Sequence, residues 1–591
     1  MYPGTIFNWH DNSGIVDTVT TSAEDTAPLF LQVFSADKGT EDLIEISGSE
    51  FNAMYGTMSF AKHGQSAIQA QNIIDAGGRL YAKRVVAEDS TLANVILVAK
   101  VSNPSESEAE AGKTVKVTWE SKSITGCKTF DEVKEAALDL YSPATIDQET
   151  GKLSTDGVYP VFIYSDNGRG VSKKAVRLNP DYATSKSIGE TFYTLVVYEG
   201  TTITEQVTVT ADPSVIYSGS AYRLDEYATQ QISGLVVEEV YDAYAEVLAD
   251  LLVLDKDVAK SYDLIYGYTN KGAVLDKFIL AGVDLDADNG VMLAEGTNGA
   301  FGDAPVGKEA WETAIADVFN GKFSDEIYDV DTHKVAAVFD ANYPMSVKKA
   351  IFDLVTFRKD CVFFRDYGVG LTTFAAINEV HASLAEERNY FVADYATSYM
   401  INDPSTRKNI EVTMLYDLAA VAVNHFENNA FAPFAGIING MILSNAIKGT
   451  VNFVPVNTPA ANQKEAIDNI RVNYAIFDDN NCVVQSCYTA QDPYTQLSFV
   501  SNVIGIQTVL RAVRTACPRQ RYSLSTGTDL QTYATAVNNV LSEFTTNFAT
   551  LNFIYSQDDL KASQKIFYAS IEFAFLNWAQ TEIFDIYAIN S

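Results

Sequence analysis

Between His333 and Gly368 the chain reads strand, helix, strand: Val335 to Phe339 is a short apolar run, Ser346 to Phe357 is helical, and Cys361 to Phe364 is a second apolar run. Two strands separated by a single helix favour side-by-side parallel pairing, with the helix laid over one face in a right-handed crossover. This stretch therefore calls for a buried sheet with helices on it. The theme returns near the start, where Gln65 to Ala76 reads as a helix, Gly77-Gly78 can end it in left-handed geometry, and Arg79 to Val86 follows at once as a strand. Ahead of these lie two further β-prone runs, Ile15 to Thr20 and Leu29 to Phe34. The second closes on the turn Ser35-Ala36-Asp37-Lys38-Gly39, and a short helix follows from Ser49 to Gly56.

From residue 101 to about 235 Ser, Thr, Asp and Tyr rise, and Thr191 to Tyr198 and Thr202 to Thr210 are β-branched and aromatic, so a mostly β module is expected as an insertion. Val236 to Leu252 reads as an acidic helix. After Asn402-Asp403-Pro404 comes an apolar region from Val412 to Val423. A long helix is expected from Pro493 to Thr515 with Phe499, Val503, Ile506, Leu510 and Val513 on one inward face, then a second from Leu530 to Asn547. Ser570 to Ile589, rich in Ile, Phe and Tyr, closes the sequence. At 591 residues there is material for about four domains.

Charge and composition narrow the function. Forty-two Lys and Arg stand against 76 Asp and Glu, a net charge of −34, which repels a phosphate backbone and argues against nucleic acid as the main partner. Five cysteines (Cys127, Cys361, Cys482, Cys487, Cys517) show no CxxC spacing and read as reduced thiols in a cytosolic setting. Met1-Tyr2-Pro3-Gly4 opens without the features of a secretory signal. The longest apolar stretch, Ala430 to Ile447, is broken by Pro433, Asn439, Gly440, Ser444 and Asn445, so no membrane segment is expected.

Signposts of catalysis are few. His10, His63, His333, His381 and His425 have no HxxxH or HExxH spacing, there is no GxSxG elbow, and Gly168-Arg169-Gly170-Val171-Ser172-Lys173-Lys174 lacks P-loop spacing and reads as a basic turn. No cofactor or metal is expected. Asp284, Asp286, Asp288 and Glu295 mimic an EF-hand loop, but Gly290 falls at its seventh position where the sixth is needed, so a solvated acidic turn is the reading. Carboxylate pairs for glycoside hydrolysis are uninformative among 76 acids. One cationic cluster stands out: from Pro493 through Thr528 there is no acid, yet Arg511, Arg514, Arg519 and Arg521 are present. Such a patch would orient docking of an acidic surface, or else it places cations at a helix C-terminus.

Three places in the sequence resemble the tail sheath proteins of contractile bacteriophages. The first runs from Tyr2-Pro3-Gly4 through Ala27-Pro28-Leu29-Phe30-Leu31 to Asp37-Lys38-Gly39. The second is Phe51 to Gly56, the helix Ser66 to Ala76, and Gly77-Gly78-Arg79-Leu80-Tyr81-Ala82-Lys83-Arg84-Val85-Val86, similar to the family's glycine pair before a strand ending in Arg-Val. The third, Leu293-Ala294-Glu295-Gly296-Thr297-Asn298-Gly299, is similar to the family's Gly-Gly-Thr-Asp-Gly loop, departing at Glu295 and Asn298. A weaker likeness lies at Phe431-Ala432-Pro433-Phe434-Ala435-Gly436.

The resemblance implies an α+β multidomain subunit with α/β core domains: an N-terminal arm (1–22), an α+β N-terminal part of the core (23–100), an inserted mostly β protruding domain (101–235), an α/β middle domain (236–400), a C-terminal core domain facing a tube (401–569) and a C-terminal arm strand (570–591). It implies a structural protein, not an enzyme, built into hexameric rings stacked around a tail tube, with tube, baseplate and tail terminator proteins as partners and no membrane insertion. The setting would be a phage tail assembled in the host cytoplasm. In that picture Ile15, Val16, Val19, Ile583, Phe584, Ile586, Tyr587 and Ile589 are the arm strands donated between subunits, unless they are ordinary edge strands of their own subunit. Arg511, Arg514, Arg519 and Arg521 are the tube-contact candidates. Rival readings are another virion or surface-layer structural protein and a carboxylate-dependent glycan hydrolase.

Overall fold

The structure, a computed structural model, describes most residues between 28 and 576, apart from 240–277, 282–290, 517–526 and several shorter stretches. It opens with β1 (Leu29–Phe34), β2 (Ile44–Ser47), α1 (Glu50–Tyr55), α2 (Phe60–Asp75) and β3 (Arg79–Arg84). β1 is buried on both faces, as an apolar run in a covered parallel sheet must be, and it pairs in parallel with β3. α2 begins five residues before the expected helix and kinks at Gly64, which sits at φ +74. The two glycines after α2 do different work. Gly77 takes φ +87 to end the helix, whereas a Cβ on Gly78 would lie 2.7 Å from Val423 and 2.8 Å from Ile73.

The inserted stretch holds β4 (Asn94–Ser102), β5 (Val115–Lys122), α3 (Phe130–Leu138), β6 (Gly157–Asp166), β7 (Lys174–Pro180), β8 (Tyr193–Glu199), β9 (Thr202–Val209), β10 (Leu235–Glu239), β11 (Phe278–Ala281) and β12 (Val291–Met292). They form two sheets, ordered β10-β6-β4-β5-β11 and β9-β8-β7-β12. α3 starts from a capping box between Thr129 and Glu132 and buries Val133 and Ala137 against Ile96, Val98 and Ile163. The helix expected to start at Val236 is corrected at its beginning. Leu235 and Val237 are buried on alternate positions, a period of two, and β10 pairs antiparallel with β6. The rest of that segment, 240–252, lies outside the described residues. Strand pairing also runs past both expected ends of the module, from Asn94 in β4 to Met292 in β12.

The chain then returns to the first sheet through α4 (Glu309–Phe319), β13 (Ala337–Phe339), α5 (Met345–Arg358), β14 (Val362–Asp366) and β15 (Val392–Tyr395). The strand-helix-strand reading holds, with β13 and β14 parallel and Val338 beside Phe363. The completed sheet has the order β15-β14-β13-β1-β3-β2, with β2 antiparallel at one edge. Next come the hairpin β16 (Ser398–Asn402) and β17 (Asn409–Thr413), and α6 (Leu415–Asn428), which packs on α2. Phe30, Phe339, Phe364 and Phe426 meet at the centre, with the Phe30 ring 5.3 Å from both Phe339 and Phe426. Fully burying rings of this size contributes about 1.5–3 kcal/mol each, so this cluster helps anchor α6 to the sheet.

Last come α7 (Val500–Ala516), α8 (Gly527–Ser542), β18 (Phe548–Lys561) and β19 (Ile566–Phe575). The expected inward stripe of α7 drifts: Val503 and Ile506 are buried, but Leu510 turns out to solvent and Val509 takes its place.

Candidate assembly surface

β18 and β19 form an antiparallel two-stranded sheet with Phe548 opposite Phe575, Leu551 opposite Phe573 and Phe553 opposite Ile571. Alternation along β19 and along β18 after the register shift between Phe548 and Thr550 puts these residues on one face, where Phe548 and Phe575, with rings 4.5 Å apart, pack on Ile506 and Val509 of α7 and Val537 and Leu541 of α8. The opposite face exposes Asn552, Ile554 and Glu572. Among the described residues no further strand pairs with this sheet, so both its outer edges present main-chain N–H and C=O groups without a ladder partner. Gln496 covers one spot, its Oε1 accepting the Phe575 N–H at 3.2 Å. A two-stranded sheet of 14 and 10 residues is marginal by itself and its edges are templates for added strands. The candidate arm residues Ile15, Val16, Val19, Ile583, Phe584, Ile586, Tyr587 and Ile589 lie outside the described residues.

The arginine cluster has a partner that the local sequence conceals. Asp360, just past α5, lies under the end of α7. Arg358 grips it through Nε and Nη2, each at 3.0 Å, and donates also to the carbonyls of Ile327 and His333. Arg514 is exposed, with Nη1 3.8 Å from the same carboxylate. Arg511 is partly buried and donates to Thr508 Oγ1 at 3.0 Å, while its Nη1 is buried without a hydrogen-bond partner. Burial pushes the Arg511 guanidinium down to about 10, against the pull of Asp360. One carboxylate thus serves three guanidinium groups, and the local balance is positive. Arg519 and Arg521 lie outside the described residues, as do Asp284, Asp286 and Asp288. Glu295 is exposed at φ +66.

Parallel sheets commonly bind ligands at the carboxyl ends of their strands. Here that crevice is filled. Asp340 after β13 and Asp366 at the end of β14 share the Lys348 ammonium at 2.5 and 2.8 Å, all three buried. The remaining acceptor positions are taken by the N–H groups of Ala341, Tyr343, Asp366, Asn342 and Gly368 and by the Thr413 hydroxyl. Gln65 of α2 joins Thr413, and Gln69 donates to the Asp340 carbonyl. Carboxylates whose lone pairs are all engaged in this way can pin elements together but have none left for a substrate. An open cavity of about 580 Å³ elsewhere is lined by Glu88, Asp89, Lys128, Glu309 and Asp317. Of these, Asp89 is already occupied by the Ala300 N–H at 2.8 Å.

Among the described residues no group of three or more His, Cys, Asp and Glu could hold a metal ion, and no helix is long and apolar enough to cross a membrane. Cys127, Cys361, Cys482 and Cys487 are buried free thiols, and Cys517 lies outside the described residues.

The motif loops singled out in the sequence come together where the inserted module meets the core. The turn Asp37-Lys38-Gly39 touches the loop Gly168-Arg169-Gly170 so closely that a Cβ on Gly168 would lie 2.0 Å from the Gly39 oxygen. In the loop around Gly296 a Cβ would lie 2.1 Å from the Gly170 oxygen. Asn298 Oδ1 accepts the Val171 N–H at 3.1 Å, and Thr297 and Thr91 exchange main-chain bonds. The basic turn is thus structural, and its glycines allow backbones to touch.

No family model matches the chain, and no curated protein matches it in sequence. Among solved structures it is similar to the sheath tail protein of Desulfitobacterium hafniense, at 10% identity over 94% of each chain with a TM-score of 0.43. It is similar also to the sheath tail protein Lin1278 of Listeria innocua, at 8% identity over 91% of each chain with a TM-score of 0.47. The sheath complex of an extracellular contractile injection system in its contracted state matches over 43% of this chain and 71% of its own, at 15% identity with a TM-score of 0.35. These solved structures are two sheath tail proteins and the sheath complex of a contractile injection system.

Proposed function

We propose that this chain is a structural subunit of a contractile tail sheath, polymerising as stacked hexameric rings around a tail tube and shortening to drive that tube through a cell envelope. The observation that carries the reading is the two-stranded sheet β18–β19, to which no further strand is added among the described residues. Strands donated by other copies would complete it, and the candidates are Ile15 to Val19 and Ile583 to Ile589. Each main-chain hydrogen bond so formed contributes about 0.5–1.5 kcal/mol net, so a five-residue strand links two subunits firmly while leaving the bodies free to pivot. Work would come from a metastable extended lattice relaxing into larger interfaces, with no nucleotide and no catalytic centre.

In this reading α7 faces the tube. Arg514, held only loosely by Asp360, would be the first cation to reach an acidic tube surface, with Arg511 behind it, and Arg519 and Arg521 remain candidates from the sequence. The baseplate and tail terminator proteins would bound the polymer at its two ends, and the assembled particle would be a phage tail built in the host cytoplasm. Electron microscopy of negatively stained, purified full chain tests the proposal. Striated tubes are the expected result, and removal of residues 577–591 should abolish them while leaving the subunit folded. Discrete particles from the intact chain under every assembly condition, or tubes that persist without those residues, would overturn it.

A further inference from the structure

The turn between β1 and β2 carries two charges of opposite sign into the inserted module. Lys38 Nζ lies 2.8 Å from Glu199 Oε2 at the end of β8. Glu41 receives Arg169, which follows β6, through Nε at 3.0 Å, Nη2 at 2.5 Å and the main-chain N–H at 3.1 Å. The core thus lends one cation and one anion, and the module returns the opposite of each. Arg84, buried at the end of β3, closes the arrangement by donating to the carbonyls of Ala36, Gly39 and Arg169 at 3.1, 2.9 and 2.7 Å. Beside it run the two chain crossings between core and module, joined by the Thr91 N–H to Thr297 oxygen bond at 3.1 Å, and the Gly170 N–H ties the module loop to the Thr91 oxygen at 2.9 Å.

From this geometry we infer that the pairs Lys38–Glu199 and Glu41–Arg169 form a reciprocal ionic clasp that fixes how the inserted module stands on the core and loosens with rising ionic strength. Two features separate this from ordinary surface pairing. The Glu41–Arg169 contact is bidentate and partly buried, with side chains 28% and 22% exposed, so it is directional as well as attractive. The reversed polarity of the two pairs means that sliding the module along the turn brings like charges together, so position is selected as well as held. Each pair remains open enough to water for salt to reach it.

Hydrogen exchange of the full chain, read at the amides of Arg169, Gly170 and Val171, tests the inference. Replacing Glu41→Gln together with Glu199→Gln, or raising salt to about 1 M for the unaltered chain, should speed exchange there by about three- to tenfold. The swapped pair Glu41→Arg with Arg169→Glu should recover most of the protection at Gly170 and Val171, which are the amides compared for that variant because the amide at 169 loses its carboxylate acceptor. Exchange that is unchanged both in the Gln variant and in salt would overturn the clasp. So would a swapped variant that exchanges as fast as the Gln variant, since shape and not charge would then hold the seam. Should the variants fail to fold, the salt titration of the unaltered chain decides alone, a flat response overturning the inference and an acceleration supporting it.

Discussion

Removing the Lys348 ammonium would leave the Asp340 and Asp366 carboxylates buried side by side with no compensating cation. Breaking a buried ion pair from one side costs about 3–5 kcal/mol, and Lys348→Met should lower stability by that order in denaturant titration, with no loss of assembly beyond what lower stability explains. Asp417 on α6 is a different case. Its carboxylate is buried with the Tyr399 hydroxyl at 2.6 Å, and burial pushes it up to about 7. A carboxyl whose folded value is raised binds its proton more tightly in the folded chain. Its contribution is therefore complete below the ordinary carboxylate range and is lost as pH climbs toward and through about 7. Asp417→Asn should become more stable relative to the unaltered chain as pH rises from about 4 to about 7, by up to about 1.4 kcal/mol per pH unit, and the difference should level off above, as read from melting curves across that range. A constant difference between the two proteins would show that this carboxyl does not titrate there. Neither site was visible in the sequence, because Asp340, Lys348, Asp366 and Thr413, like Tyr399 and Asp417, meet only through tertiary packing.

Elements whose signals are local could be read directly. The crossover β13–α5–β14 followed from two short apolar runs around a helix, and the stop of α2 followed from Gly77-Gly78, although the second glycine owes its place to the approach of Val423 more than to the turn. The strand β10 was missed because acidic residues and a continuing apolar run favour helix, whereas Leu235 and Val237 in fact alternate into the module core. The cationic end of α7 was found but its counter-ion was not, since Asp360 is over 150 positions away in the chain. The seam shows the same limit: Glu41 and Arg169 stand 128 positions apart, and no spacing rule links them. At the hairpin, the outward side chain Ile554 offers a clean test. Ile554→Lys should cost the isolated subunit less than about 0.5 kcal/mol, yet a charge on that surface should raise the protein concentration needed for polymerisation by about tenfold or more, as followed by sedimentation. Unchanged polymerisation would mean that this face of β18–β19 is not used in contact.

On the scale of the whole molecule, the described residues form a packed body with a two-stranded sheet, β18–β19, at its C-terminal end that no further described strand joins. The central sheet is covered by helices, its strand ends are closed by Asp340, Lys348 and Asp366, and the inserted module is gripped by paired charges. Such a body suits a subunit that moves as a piece and works through its connections. The central claim is that the hairpin β18–β19 is completed by chain segments of other copies. A cryo-electron microscopy map of the assembled polymer, clear enough to trace main chain, tests it most directly. The account expects strands from other subunits hydrogen-bonded along the outer edges of β18 and β19. A map with both edges facing solvent, and with residues 1–22 and 577–591 laid back on their own subunit, would contradict it.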